Sequence, residues 1–141
     1  FKNLKNISWH HSLAEKLPFK DETFDTYSVS FGMRNFADIN SSLKEARRVL
    51  KIGGRIICLE FSKIDNEILN KFYKLYSKSI PLIGKYVVGN SEPYEYLTKT
   101  IEEFYSQREL KDIFIKNGFD NVEFRNLSGG IVAIHSGWKI E

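Results

Sequence analysis

The feature that most constrains the fold is the segment 55–61, where isoleucine, isoleucine, cysteine and leucine follow one another. A strand that is apolar on both sides is usually covered on both faces, which is typical of a parallel sheet. A helix is predicted just before it, over residues 40–51, and Gly53-Gly54 are expected to end that helix. Phe24–Phe31 is predicted as the strand that precedes the helix, so this part of the chain reads as a β-α-β unit.

The two ends of the chain add further strands. Residues 6–13 are predicted as a short strand at the amino-terminal end. Near the other end, Ser106 followed by Glu109 has the spacing of a capping box at a helix start. That helix is expected to end at Asn117-Gly118. Two more strands follow, and a short turn at 128–130 makes them antiparallel. The predicted fold is therefore α/β, with a mostly parallel sheet and one reversed terminal strand.

The middle of the chain, residues 65–105, is predicted to be helical. Two helices between strands exceed what a simple crossover needs, so they either cover the sheet or form a lid over an apolar substrate. A group of aromatic residues there either walls a pocket for an apolar chain or belongs to the core. These residues are Tyr94, Tyr96, Phe104 and Tyr105.

Composition excludes several classes of function. The 141 residues suffice for one domain with its own core, and the net charge of +3 forms no basic stripe for nucleic acid. The single cysteine, Cys58, cannot form an internal disulfide, and the histidines lack metal-ligand spacing. No apolar run approaches the ~20 residues of a membrane-spanning helix. The chain begins with Phe1 and not with methionine, which favours a segment of a longer protein.

Polar residues follow the strand at 24–31 at once. A glycine breaks the apolar pattern, and Arg34-Asn35 come two residues later. In open α/β sheets, ligands bind beyond the carboxyl ends of the strands. Arg34 and Asn35 are therefore candidate functional residues, although a polar loop of no function would look the same in isolation.

Several longer strings resemble one family of class I, S-adenosylmethionine-dependent methyltransferases. The segment 30–35 resembles its SFGxRN motif, 59–63 its LEFSK motif and 129–137 its GGIVAIHSG motif. Segments 14–19 and 45–55 resemble its AExLPF and RVLKPGGR motifs, which are shared more widely. Together they resemble the UbiE-type C-methyltransferases of ubiquinone and menaquinone biosynthesis over essentially all 141 residues.

The resemblance implies a function and a setting. Such enzymes transfer a methyl group from S-adenosylmethionine to a ring carbon of a polyprenyl benzoquinol or demethylmenaquinol. They are cytosolic or loosely attached to a membrane. The implied domain covers residues 1–141, with 65–105 as a lid on the substrate side. A non-catalytic module that binds a lipid quinone or scaffolds a quinone-synthesis complex is the alternative. A methyltransferase with another acceptor is a weaker one.

The resemblance also assigns roles to single residues. Arg34 is expected to stabilise the phenolate of the acceptor, or else only to fix the loop by pairing with Glu60 or Asp38. Asn35 is expected to orient the acceptor oxygen or brace the loop. Leu13, Ala14 and Ser30 match cofactor-contacting positions, although the family usually has Asn or Asp where Leu13 stands. A further residue, His135, is either a proton relay or a structural histidine, and the structural role is favoured.

The sequence departs from the family's pattern mainly by an absence. The glycine-rich loop and the acidic residue that hold the cofactor do not occur in these 141 residues. The first two strands of the family's sheet are thus expected to be missing. Little cofactor affinity is expected of this chain, and the fragment is expected to be inactive alone. The edge of the 24–31 strand would be bare, which predicts self-association through it.

Overall fold

The computed structural model describes residues 6–64 and 92–141. Within them the chain forms three helices and four strands in the order β-α-β-α-α-β-β. These are β1 (Phe24–Ser30), α1 (Ile39–Val49), β2 (Leu50–Phe61), α2 (Glu92–Glu103), α3 (Gln107–Lys116), β3 (Asp120–Leu127) and β4 (Val132–Trp138). The part of the predicted helical region that lies at 65–91 is outside the described residues. None of the described helices is long and apolar enough to cross a membrane.

The strands form a four-stranded sheet in the order β1-β2-β4-β3. β1 runs parallel to β2, with Tyr27 opposite Ile56 and Ser30 opposite Leu59. β4 is antiparallel to both of its neighbours, β2 and β3. The prediction of a mostly parallel sheet with one reversed strand is confirmed.

The core of the described part lies on one face of this sheet. Ile56 and Cys58 of β2 are fully buried there against α1 and α3. The alternate residues of β2, Ile57 and Leu59, are half-buried on the opposite face. β2 is parallel to β1 as predicted, but the described residues cover only one of its faces closely, whereas the sequence predicted cover on both.

Helix α1 begins at Asp38, whose side chain accepts a hydrogen bond from the Asn40 N–H. It ends at Val49, and the chain passes directly into β2 at Leu50. The prediction that Gly53-Gly54 end the helix is wrong. Because Phe24 pairs with Leu50, the chain enters the sheet at Leu50, before it reaches the two glycines. The glycines instead lie at an irregularity within β2. Gly54 is required there because a Cβ would lie 2.8 Å from the Lys51 carbonyl oxygen.

The predicted strand at 6–13 does not form. Residues 6–12 have no regular structure, and a single bridge joins Leu13 to Lys16. The alternating apolar residues of this segment remain in solvent, with Trp9 82% and Ile7 45% exposed. A strand needs a neighbour for its backbone groups, and the described residues offer this segment none.

The carboxyl-terminal elements follow the prediction closely. Ser106 and Glu109 form a reciprocal capping box at the start of α3. The helix ends at Asn117, and Gly118 takes a left-handed φ of 86° beyond it. A short 3-10 turn at Ser128–Gly130 then joins β3 to the antiparallel β4. Local signals set these elements, so the sequence alone was enough to place them.

Candidate functional site at the end of strand β1

The turn with the two predicted catalytic residues follows β1 directly. The Phe31 N–H donates to the Leu59 carbonyl at 2.8 Å, which extends the pairing of β1 and β2 by one residue. Phe31 itself has a left-handed φ of 52°, uncommon for a bulky residue. Backbone strain of this kind tends to occur at functional sites. One 3-10 turn, Met33–Asn35, comes next and is called the 33–35 turn below.

The 33–35 turn is anchored in the core by its first residue. Met33 is 2% exposed and packs among the buried residues of the sheet and helices. The Cys58 thiol donates a hydrogen bond to the Met33 sulfur at 3.7 Å. Burial raises the pKa of Cys58 to about 12, so the thiol stays protonated and unreactive. The turn is therefore held to the centre of β2 by an apolar contact.

Arg34 forms an ion pair with Glu60 of β2. Its Nη1 donates to Glu60 Oε1 at 2.8 Å and to the Phe31 carbonyl at 2.6 Å. The Arg34 side chain is 10% exposed and that of Glu60 only 1%. The guanidinium also lies 5.4 Å from the centre of the Phe61 ring. Of the two partners expected for a structural Arg34, the structure selects Glu60, while Asp38 caps α1 instead.

Glu60 is satisfied by three hydrogen bonds. Besides the Nη1 bond, its carboxylate accepts from the backbone N–H of Arg34 at 3.3 Å and of Phe61 at 2.9 Å. Both oxygens of this buried carboxylate are therefore held by donors, which fixes its position. On the guanidinium, Nε is buried without a partner in the described residues, and no bond to Nη2 is found there. Within the described part of the chain, the side-chain bonds of Arg34 therefore use Nη1 only.

Asn35 is exposed and contacts helix α2. The Tyr96 hydroxyl donates to Asn35 Oδ1 at 2.9 Å across 61 positions of sequence. Tyr96 is 58% exposed and Tyr105 38%, whereas Phe104 is 7% exposed and belongs to the core. The aromatic group predicted on this helix is therefore divided between core and surface. The side chain of Tyr94 lies outside the described residues.

The predicted cofactor residues lie on two neighbouring segments. Ser30 is exposed at the carboxyl end of β1, one residue before the strained Phe31. Leu13 is 71% exposed and Ala14 half-buried in the bridge at 13–16. The carboxylate of Glu15 joins this bridge to the loop before α1, since it accepts from the N–H groups of Ala37 and Asp38 at 3.0 and 3.1 Å. These contacts hold the bridge beside the loop that carries Arg34 and Asn35.

The rest of the segment 15–21 is fastened to α1. Glu45 accepts from the Leu17 N–H at 2.7 Å, and Arg48 donates to the Phe19 carbonyl at 2.9 Å. The hydrogen bond from Arg48 lowers the pKa of Glu45, so this carboxylate stays ionised. Sequence reasoning missed the anchoring role of Glu15 and Glu45. The backbone groups that these two carboxylates bind lie more than 20 positions away, so no local spacing could have shown it.

A cavity of about 300 Å³ lies between this loop and helix α2. The loop side contributes Arg34 and Asp38, and the helix side contributes Thr100 and Glu103. Hydrogen bonds from the hydroxyl and the backbone N–H of Ser41 lower the pKa of Asp38, which is therefore an anion at neutral pH. The cavity thus combines one cation with acidic groups beside an apolar floor.

His135 lies away from this cavity, in the core. It is 2% exposed, and its Nε2 lies 2.9 Å from the Gln107 carbonyl oxygen. Because a carbonyl only accepts, Nε2 carries the proton and Nδ1 does not. Burial lowers the pKa of His135, which keeps the ring neutral. This geometry supports the structural role that the sequence favoured for His135.

The sheet order, the reversed β4 and the polar turn after β1 together define a class I S-adenosylmethionine-dependent methyltransferase fold. Solved methyltransferases share it. One from Thermotoga maritima is 26% identical, with a TM-score of 0.61 over 89% of this chain and 60% of that one. One from Aquifex aeolicus is 18% identical, with a TM-score of 0.64 over 96% of this chain and 56% of that one.

Sequence comparison defines the family. The model of the ubiE/COQ5 methyltransferase family matches residues 2–139, and the chain belongs to this family. A "Ubiquinone/menaquinone biosynthesis C-methyltransferase UbiE" of Rickettsia akari is 53% identical over 137 residues, 96% of this chain and 55% of that protein. One from Rickettsia typhi is 52% identical over 99% of this chain and 56% of its own length. The chain thus spans about 55% of the length of these relatives.

Proposed function

We propose that this chain serves methyl transfer from S-adenosylmethionine to a ring carbon of a polyprenyl benzoquinol or demethylmenaquinol. Family membership supports the reaction class, and the observation that carries the proposal is the fixed guanidinium of Arg34. The ion pair with Glu60 holds this group at the carboxyl end of β1, and of its side-chain nitrogens only Nη1 has a partner among the described residues. That is where ligands bind in open α/β sheets.

The chemistry needs a carbon nucleophile on the acceptor ring. A ring carbon becomes nucleophilic when a neighbouring hydroxyl loses its proton and its charge spreads onto the ring. Hydrogen bonds from Arg34 to that oxygen would favour the phenolate over the phenol. Arginine stays protonated and is a poor base, so electrostatic stabilisation is the role we assign to it. Asn35 would bind the same oxygen or its neighbour.

S-adenosylmethionine would supply the electrophilic methyl group. The residues present fit part of such a molecule, since Leu13 offers exposed apolar surface and Ser30 an exposed hydroxyl at the strand end. The glycine-rich loop and the acidic residue are absent from the sequence. We therefore propose little affinity for S-adenosylmethionine in the 141-residue chain alone. Titration calorimetry tests this, and micromolar binding would refute it.

The function is tested by complementation. The chain and its Arg34→Lys variant are expressed in a bacterium lacking its quinone C-methyltransferase, with and without an amino-terminal fragment of a relative that carries the glycine-rich loop. We expect methylated quinone, measured by mass spectrometry, with that fragment only, and at least tenfold less in the variant. Lysine keeps the charge but lacks the planar guanidinium that bonds both Glu60 and the Phe31 carbonyl through Nη1.

A matched control comes from the other end of β2. Arg55 also stacks on an aromatic ring, 5.0 Å from the centre of Trp138, and its Nη2 donates to the Ser136 hydroxyl at 3.0 Å. Arg55→Lys should therefore support methylation as the wild type does. Equal loss in both variants would mean that Arg34 acts only on stability and would remove the main support for the proposal.

The alternative function is a module that binds a lipid quinone without methylating it. The two are separated by the same experiment together with a binding assay. Quinol binding by the chain, without methylated product even beside the supplied fragment, would favour the module. A polyprenyl acceptor also implies peripheral contact with a membrane. Flotation of the chain with quinone-containing vesicles, absent with plain vesicles, is the expected result.

We also propose self-association through the free edge of β1. β1 pairs with β2 on one side, and among the described residues no strand pairs with its other side. Light scattering of the purified chain should give a mass above the monomer. Lysine at the exposed Ser28 should reduce it, because charged residues discourage edge pairing. A monomeric wild type would show that this edge does not drive association.

A further inference from the structure

Helix α2 reaches the 33–35 turn through one bond between side chains, from the Tyr96 hydroxyl to Asn35 Oδ1. Tyr96 and Thr100 are one helical turn apart, and Thr100 lines the cavity beside the turn. The bond therefore joins α2 to the turn next to that cavity. More than half of Tyr96 is exposed, so burial alone does not account for its position.

The bond determines which part of the Asn35 amide is left for a ligand. An amide carries one acceptor oxygen and two N–H donors on nitrogen, and hydrogen bonding sets which end points where. Here the oxygen receives the Tyr96 hydroxyl, and no bond to the nitrogen is found within the described residues. Asn35 is exposed, so its N–H groups are accessible.

The neighbouring Arg34 has donors only, and its Nη1 is already used by Glu60 and Phe31. The Asn35 oxygen is turned toward Tyr96 with one lone pair taken, so the side chains of these two residues offer mainly N–H donors at the 33–35 turn. A surface of donors binds an anionic oxygen more strongly than a neutral hydroxyl, because hydrogen bonds to a charged acceptor are stronger.

We infer that Tyr96 is a positioning residue, which holds the Asn35 amide with its N–H groups toward the acceptor oxygen and so makes the turn selective for a phenolate. This rests on the proposed function and adds to it a residue on α2. Removing the Tyr96 hydroxyl would free the amide to turn its oxygen toward the acceptor, and that oxygen would repel a phenolate.

The test follows the ionisation of a coloured phenol, p-nitrophenol, bound to the full 141-residue chain without added cofactor. Wild type should lower the pKa of the bound phenol. Tyr96→Phe should reverse about half a unit to one unit of that shift, the size of one hydrogen bond. The other titratable groups facing the cavity are Asp38, Glu103 and Tyr105, with Glu60 behind Arg34; the variant leaves all of them in place.

Further variants show the direction of the pKa change and serve as controls. Asn35→Asp replaces the donors by an anion and should raise the pKa of the phenol above its value in Tyr96→Phe. Tyr27→Phe removes a hydroxyl from β1, three residues before the strand ends, and should match wild type. In an Asn35→Ala background, Tyr96→Phe should have no further effect, because a positioning residue acts only through its partner.

The outcomes separate this inference from the proposed function. If Tyr96→Phe matches wild type in phenol pKa while complementation still depends on Arg34, Tyr96 only anchors α2 and the inference is wrong. If wild type does not lower the pKa of the phenol, the inference also fails. If methylation in the complementation assay also turns out not to depend on Arg34, the proposed function fails too. Thermal unfolding of each variant, expected within a few degrees of wild type, confirms that they fold.

Discussion

The two ends of β2 hold similar arginines in different ways. Arg34 lies over Phe61 at one end and Arg55 over Trp138 at the other, and each has a buried Nε without a partner in the described residues. Arg34, however, is paired with a carboxylate that is 1% exposed, whereas Arg55 bonds a serine hydroxyl. An arginine can therefore be held by an aromatic ring and a neutral hydroxyl, and the buried anion is what distinguishes the candidate site.

The largest effect should come from removing each arginine. Arg34→Ala leaves the buried Glu60 charge uncompensated and should lower the free energy of unfolding by about 3–5 kcal/mol. Arg55→Ala loses one hydrogen bond from a charged donor to a neutral hydroxyl and should cost about 1.5–2 kcal/mol. Urea unfolding measures both. Similar losses would contradict the distinction between the two ends.

A double variant sharpens the same comparison. Arg34→Met with Glu60→Leu removes both charges and should recover most of the stability lost in Arg34→Ala, because two apolar residues need no ion pair. The double variant should nevertheless fail to support methylation. Recovery of both properties would show that the charge has no role in the reaction.

Glu60→Gln should have an intermediate effect. Glutamine retains an acceptor for Arg34 Nη1 but lacks the charge that strengthens the bond. We therefore expect the free energy of unfolding to fall by about 1.5–3 kcal/mol. The variant should keep part of the methylation, because the guanidinium is still held in place. Chemical denaturation and complementation report these two quantities. Wild-type stability would mean that the carboxylate is dispensable.

The pH dependence of stability should come partly from His135, which is buried on β4 opposite Cys58 of β2. Burial lowers the pKa of His135 from its ordinary 6.5, so below about pH 6.5 the unfolded chain binds the extra proton first. Stability should fall as pH decreases through this range, down to the folded pKa. His135→Gln should flatten that slope, while the adjacent Ser136→Ala should preserve it. An unchanged slope in His135→Gln would contradict the role of burial.

The smallest effects should come from the aromatic partners. Phe61→Leu and Trp138→Leu each remove the ring beneath a guanidinium and should cost about 0.5–1 kcal/mol. The two losses should be similar in equilibrium unfolding, since both stacks are alike. A much larger loss at Phe61 would mean that its ring, and not Glu60, fixes Arg34.

The fold was predictable where signals are local. The capping box at Ser106 and the glycine at 118 set the limits of α3 from neighbouring residues alone. The strand at 6–13 was wrong because alternation of apolar residues says nothing about whether a partner strand exists. The helix stop at Gly53-Gly54 was wrong because pairing of Phe24 with Leu50, which is 26 positions away, ends α1 first.

The candidate site was predictable only in part. The sequence predicted the position of three residues at the strand end correctly, namely Ser30, Arg34 and Asn35. An apolar strand pattern that breaks at a glycine and a charged residue shows where the strand ends. Glu60 was foreseen as a partner of Arg34 but could not be chosen over Asp38 without the register of β1 and β2. The contact of Tyr96 with Asn35 spans a long stretch of chain, and no periodicity in the sequence indicates it.

The register of β2 links the alignment of the sheet during folding to the formation of the Arg34–Glu60 pair. Glu60 points to the covered face with Ile56 and Cys58, and neighbouring residues point the other way. A slip of one residue along β1 would turn the carboxylate outward and bring an apolar side chain to Arg34. A misaligned sheet would then leave the arginine without its anion. Correct alignment of β1 with β2 and formation of the Arg34–Glu60 ion pair are thus a single event, and a misaligned chain lacks this pair.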